Sequence, residues 1–207
     1  DIKRKIAETR IFVGTTTAFA SRPHFFNIKR FETAFIDEAS QILEPDLIGL
    51  LSARHNGKNA IEKFVLIGDY KQLPAIALQN GTEAAVTNPL LNGIGLYDCR
   101  NSLFERLYGQ CPADFKNVLR KQGRMHPDVS EFPNHAFYFH EHLEPVPLEH
   151  QKEAYPYNPS AGTDSATERL LMNRRMIFIP AGTPEESATL SDKTNINEAR
   201  IVASVLE

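Results

Sequence analysis

Two apolar runs in this chain end abruptly on acids. Ala34-Phe35-Ile36 runs into Asp37 and Glu38, with Ala39, Ser40 and Gln41 behind them, and Phe64-Val65-Leu66-Ile67 runs into Gly68 and Asp69, then Tyr70, Lys71, Gln72, Leu73 and Pro74. In an open α/β sheet, ligands bind beyond the carboxyl ends of the strands, which is where both acidic groups fall. A magnesium ion prefers oxygen ligands and keeps several waters, a demand that a strand-end aspartate can meet. A neighbouring glutamate can polarise an attacking water. Gly68 allows a sharp exit or a close backbone approach, and the Gln72 amide is a neutral donor suited to a terminal phosphate or a water. Taken alone, Asp37-Glu38 also reads as a strand leading into a helix cap, and Gln72 as a surface turn residue. Two acid-tipped strands in succession are harder to assign to packing.

The elements that must carry these groups follow a pattern of short apolar runs separated by helix-length amphipathic or polar stretches, as in buried parallel strands joined by crossovers. The fold class is therefore α/β. Strands are expected at 10–13, 33–36, 63–67, 115–119 and 175–179, and helices at 2–9, 45–51, 102–108, 127–137 and 197–206, with Pro45 and Pro127 as first-turn prolines. Residues 79–98, rich in Gly, Asn and Thr, read as a long loop or insertion, and 144–167, with four prolines from Pro145 to Pro159, as a second irregular region. Near the end, Ile201/Val205 and Val202/Leu206 repeat at helical spacing behind the N-cap candidate Asn197, and no C-cap signal follows. With no initiator methionine at the start either, the chain is expected to be part of a longer protein.

A chain of 207 residues with 42% hydrophobic content can bury one substantial core or two modest ones. Its net charge of −3 does not call for a polyanionic partner, so any nucleic-acid surface must be local. The small basic groups, Lys3 to Lys5, Lys29-Arg30, Arg120-Lys121 with Arg124, and Arg174-Arg175, read as solvated faces. Cys99 and Cys111, the only cysteines, fit neither a zinc ribbon nor a redox pair, and point to a reducing compartment. The opening residues are too polar for a signal peptide, and no apolar run approaches the ~20 residues that span a bilayer, so an intracellular, cytoplasmic location is expected and no membrane partner. His135, His140, His142 and His150 show no regular ligand spacing. Tyr155 and Tyr157 read as packing under their own loop rather than as a base-stacking platform.

Asp37-Glu38-Ala39-Ser40-Gln41 resembles the Walker B motif of superfamily 1 helicases, and Gly68-Asp69-Tyr70-Lys71-Gln72-Leu73-Pro74 resembles their next motif, which couples ATP to nucleic-acid binding. Gln122-Gly123-Arg124-Met125-His126-Pro127 resembles the motif that opens the second RecA-like lobe. The order and spacing also fit. The motifs most resemble the branch with the nonsense-mediated-decay RNA helicase and the replication nuclease-helicases, which the flanking Leu103-Phe104-Glu105-Arg106-Leu107 and Glu131-Phe132-Pro133-Asn134 also resemble. The resemblance implies parts of two RecA-like lobes of the P-loop NTPase class, with 1–112 the later part of the first and 113–207 the beginning of the second. It implies ATP and Mg2+ as cofactors, single-stranded or duplex nucleic acid (DNA or RNA) as partner, and 5′ to 3′ movement along a strand. Residue by residue, Asp37 would ligate magnesium through water, Glu38 would be the general base and Gln72 would sense the γ-phosphate. Arg124 would act as an arginine finger in cis. Asp69 and Gln122 would line the nucleotide site, and Thr15, Thr16 and Thr17, placed after the expected strand ending at Val13 and Gly14, would touch the nucleic-acid backbone. A strand edge explains the threonine run equally well.

Two departures accompany the resemblance. The glycine-rich loop that ends in Lys and Ser/Thr and cradles the phosphates does not occur in these residues. Gly123 stands where relatives usually carry a tyrosine that stacks on adenine. Against an active motor stands the alternative of a degenerate one that serves as a nucleic-acid-binding scaffold.

Overall fold

A computed structural model of the chain describes residues 1–154, 166–182 and 195–206. Tyr155 and Tyr157 lie outside the described residues. The chain divides into two compact units, Asp1–Asn117 and Val118–Glu207.

In the first unit, helices α1 (Ile2–Glu8), α2 (Thr16–Ala20) and α3 (His24–Ile28) precede strand β1 (Phe31–Ile36). Helix α4 (Glu44–Leu51) and a hairpin of β2 (Arg54–His55) and β3 (Lys58–Asn59) lead into β4 (Ile61–Leu66). Strands β1 and β4 pair in parallel, Phe31 opposite Ile61 and Ile36 opposite Leu66, so their carboxyl ends share one edge. Parallel pairing requires a crossover, and α4 supplies it: Pro45 fixes its first turn, Glu44 and Asp46 face its positive end, and Leu47 and Leu50 are buried. Those leucines join Phe26, Ile36, Ala39, Ala60, Ile61 and Leu103 in one apolar core. The hairpin turns on Asn56 and Gly57, both at positive φ (49° and 77°), the conformation a two-residue turn demands.

Residues 79–98 carry more order than a loop reading expects. Helices α5 (Gly81–Ala84) and α6 (Pro89–Gly93) are capped by the side chains of Asn80 and Asn88. An antiparallel bridge between Ala85 and Asp98 closes the excursion. Two of the asparagines behind the loop reading, Asn80 and Asn88, are the caps of these helices. Helix α7 (Leu103–Gln110) follows, capped by Ser102, and is tied to α4 by Arg106, whose Nε and Nη2 donate to both oxygens of Glu44 at 2.7 and 2.5 Å.

In the second unit, β5 (Lys121–Gln122) pairs in parallel with β6 (Glu144–Pro145). Between them runs α8 (Pro127–Ala136), followed later by α9 (Glu149–Lys152), α10 (Ala166–Asn173) and α11 (Ile196–Leu206). The side-chain amide of Asn134 donates to the Leu143 carbonyl and accepts from the Leu143 amide, at 2.9 and 2.8 Å, fixing the chain's return towards β6.

The α/β expectation holds, as do the strands near 33–36 and 63–67 and the five expected helices within a residue or two. Three expected strands do not form. Residues 10–13 are extended but pair with nothing among the described residues. Phe12 is held by ring packing instead, edge-on to Phe25 and Phe31 at 5.1 and 5.6 Å. Residues 115–119 begin in a 3-10 turn (Ala113–Phe115) and continue extended, the strand forming only at Lys121–Gln122, and 175–179 is likewise unpaired among the described residues. An apolar run is fit for a strand, but a strand exists only where a neighbour completes its hydrogen-bond ladder. No helix of the described residues is long and apolar enough to cross a membrane.

Candidate functional site

The parallel register of β1 and β4 brings the two acidic loops together. Pairing continues one step beyond the strands, with the Ile67 amide donating to the Ile36 carbonyl at 2.9 Å and the Ala39 amide to the Ile67 carbonyl at 2.8 Å. Asp37, Glu38, Asp69 and Gln72 therefore emerge at one edge.

Glu38 sits in the left-handed region (φ 51°, ψ 36°), which a non-glycine residue seldom adopts and which clusters at functional sites. Two contacts hold this conformation: its amide donates to Asp37 Oδ1 at 3.0 Å, and its carboxylate Oε2 accepts from Gln41 Nε2 at 3.1 Å. Both Asp37 and Glu38 are exposed. In the second loop, Asp69 organises its own turn. Its Oδ1 accepts from the Lys71 amide at 3.0 Å and its Oδ2 from Gln72 Nε2 at 2.9 Å, so the Gln72 amide is anchored. Gly68 is required by close approach and not by a positive φ: a Cβ there would lie 2.8 Å from the Ser40 amide nitrogen.

The donor set suits magnesium. Asp37 offers an exposed carboxylate, Oδ1 accepting from an amide, next to a second exposed carboxylate, and an ion that retains most of its waters needs little more from the protein.

Thr15, Thr16 and Asp37 line one hollow of about 740 Å³ whose walls are largely phenylalanine. The threonines are not a strand edge. Thr15 caps α2, its hydroxyl accepting from the Ala18 amide at 3.2 Å, and Thr16 and Thr17 form the first turn.

In the second unit, Gln122 closes a tight turn: Oε1 accepts from the amides of Arg124 and Met125 at 3.0 and 2.7 Å, and Nε2 donates to the Met125 carbonyl at 2.8 Å. Gln151, only 3% exposed, clamps that turn from α9, its Nε2 donating to the carbonyls of Gln122 and Met125, each at 2.9 Å. The clamp carried no motif signal; a glutamine in a polar four-residue helix is unremarkable until its partners are known. Arg124 is exposed, and its guanidinium has no partner among the described residues. The Gly123 carbonyl is 2.9 Å from His150 Nε2, and a Cβ at Gly123 would meet only Leu148 Cδ1, at 3.3 Å.

A family model described as an AAA domain matches residues 1–80, and a second with the same description matches 99–207, more than half of the chain. An uncharacterised ATP-dependent helicase of Methanocaldococcus jannaschii is 31% identical over 64% of this chain and 16% of its own length. The DNA polymerase alpha-associated DNA helicase A of Saccharomyces cerevisiae is 32% identical over 66% of this chain and 19% of its own. A regulator of nonsense transcripts 1 homolog from Neurospora crassa is 32% identical over 66% of this chain and 10% of its own. The chain thus spans less than a fifth of each of these relatives.

Proposed function

We propose an ATP-driven motor role on nucleic acid for this chain, which belongs to the AAA-domain family of superfamily 1 helicases. The observation that carries the reading is the pair of parallel strands that present Asp37-Glu38 and Asp69-Gln72 at one edge, with Glu38 held left-handed. Residues 1–112 serve as the later part of a first RecA-like lobe and 113–207 as the start of a second.

Asp37 would hold Mg2+ through water, and the ion would supply charge neutralisation at the nucleotide phosphates. Glu38 takes the proton of the attacking water, its carboxylate aimed by Gln41. Gln72 senses the γ-phosphate, and Asp69 and Gln122 bind the nucleotide. Arg124, whose guanidinium has no partner among the described residues, acts as the arginine finger. Thr15, Thr16 and Thr17 contact the backbone of a single-stranded or duplex nucleic acid, and turnover moves the two lobes along the strand. The phosphate cradle is not among these residues, so the 207-residue chain alone is expected to show no ATP turnover.

The test uses the full-length protein: ATP hydrolysis and strand unwinding measured on DNA and RNA duplexes with 5′ or 3′ overhangs, for the wild type and Glu38→Gln. Turnover abolished in the variant with ATP binding retained is the expected result, since removing a base need not remove a ligand. Nucleic-acid binding by the wild type without any nucleotide turnover would replace this reading with that of a scaffold.

A further inference from the structure

The two acidic loops are joined by one side chain. Ser40, in the 3-10 turn Ala39–Gln41 behind Glu38, is 5% exposed, and its hydroxyl oxygen accepts the Asp69 amide at 3.0 Å. The Ala39 to Ile67 bond beside it is backbone to backbone and fixes only where the strands end. Ser40 reaches further. Gly68 lets the Ser40 backbone rest against it, so the hydroxyl has little freedom to swing away.

On either side of this bridge the candidate catalytic side chains are tied in series. Glu38 Oε2 is held by Gln41, the residue after Ser40. Gln72 Nε2 is held by Asp69, the residue whose amide Ser40 accepts. A displacement of Gln72 by a phosphate therefore pulls on Asp69, then on Ser40, then on the turn that aims Glu38. The outer two links are exposed and the middle one rests on a buried hydroxyl, so the hydrogen-bonded chain itself carries the displacement from one loop to the other.

We propose that Ser40 is a positioning residue which couples the setting of Glu38 to that of Gln72, so that phosphate sensing and water activation proceed as one event. The inference rests on the motor reading above. Loss of the hydroxyl leaves both loops at the strand ends but free to move separately.

The experiment is a double-mutant cycle in the full-length protein, with Ser40→Ala, Gln72→Ala and both together, read as kcat and KM for ATP alongside thermal unfolding. Ser40→Ala is expected to lower kcat about tenfold or more with KM for ATP nearly unchanged, yet to cost less than about twofold in the Gln72→Ala background, the signature of residues acting as one unit. Ser40→Cys, which keeps the side chain close in size but makes it a weak acceptor for the Asp69 amide, is expected to give a smaller kcat loss with the same non-additivity, and serves if Ser40→Ala does not fold. Additive losses, or wild-type kcat in Ser40→Ala, would overturn the coupling while leaving the motor reading intact. A wild type with no turnover overturns the motor reading, and this proposal with it.

Discussion

In the first unit the strands lie against Phe26, Leu47, Leu50, Ala60 and Leu103, whereas the buried residues described in the second unit are Ser130 and Gln151, both polar. The two units thus place their candidate residues by different physics. Apolar burial is strong but non-directional, and it sets where β1 and β4 end; short polar links then aim the side chains beyond. In the second unit direction comes first, because Gln122 and Gln151 between them accept from or donate to named backbone groups of the turn. Those bonds fix the turn's backbone, while the Arg124 guanidinium has no partner among the described residues.

The contrast can be broken or sharpened experimentally. The largest effect is expected at the free cation: Arg124→Ala in the full-length protein should lower kcat by ~10³-fold or more without changing thermal stability, because the guanidinium touches nothing described. Near wild-type turnover would show that an unpartnered arginine here is only a surface residue. Next comes the apolar core. Leu47→Ala removes a side chain with no exposed surface and should cost about 2 to 5 kcal/mol in denaturant unfolding; a loss within error would mean that the core is not what holds β1 and β4.

The polar counterpart is Gln151→Leu, of similar size, which strips the Gln122 and Met125 carbonyls of a donor and should cost about 1 to 3 kcal/mol. Faster hydrogen exchange at the Arg124 and Met125 amides would accompany it. Unchanged exchange there would erase the distinction between the units. Gly123→Tyr should gain less. The one contact a Cβ meets is the flexible end of the half-exposed Leu148, so the residue fits with a small shift. A stacking gain of about 1 kcal/mol, several-fold in kcat/KM for ATP over GTP, CTP and UTP, is expected. A wild type that already prefers one base strongly would show that the position is not a vacant platform.

The smallest effect lies on the surface of the first unit. The side-chain hydrogen bonds from Arg100 hold the Asp98 carboxyl below its ordinary value. A depressed folded-state pKa adds stability above the unfolded value and loses it as pH falls through the folded one, but on a solvent-accessible pair of neighbouring residues that contribution is slight. An NMR titration should find the Asp98 midpoint low and restored towards normal in Arg100→Ala; identical midpoints would discard the pair.

Local chemistry made much of this legible in the residues. Pro45 and Pro127 mark helix starts through a fixed φ, Ser102 through a side chain that accepts from a nearby amide, and the abrupt acids after β1 and β4 mark strand ends, all within a few residues of chain. The Asn80 and Asn88 caps are equally local signals inside the stretch read as a loop, and Asn56-Gly57 is one in a stretch to which no element is assigned. What no local reading could supply depends on partners distant in sequence. Residues 10–13 are as apolar as β1 yet form no ladder among the described residues: Phe12 packs on Phe25 and Phe31, while Ile11 and Val13 stay exposed. Ser40 reads as part of a motif, but its hydroxyl acquires a role only when parallel pairing carries the Asp69 amide to within 3.0 Å. Gln151 gains its place in the same way, from carbonyls of a turn far back along the chain. Residue type sets what a side chain can donate or accept, and the fold alone decides which group arrives to meet it.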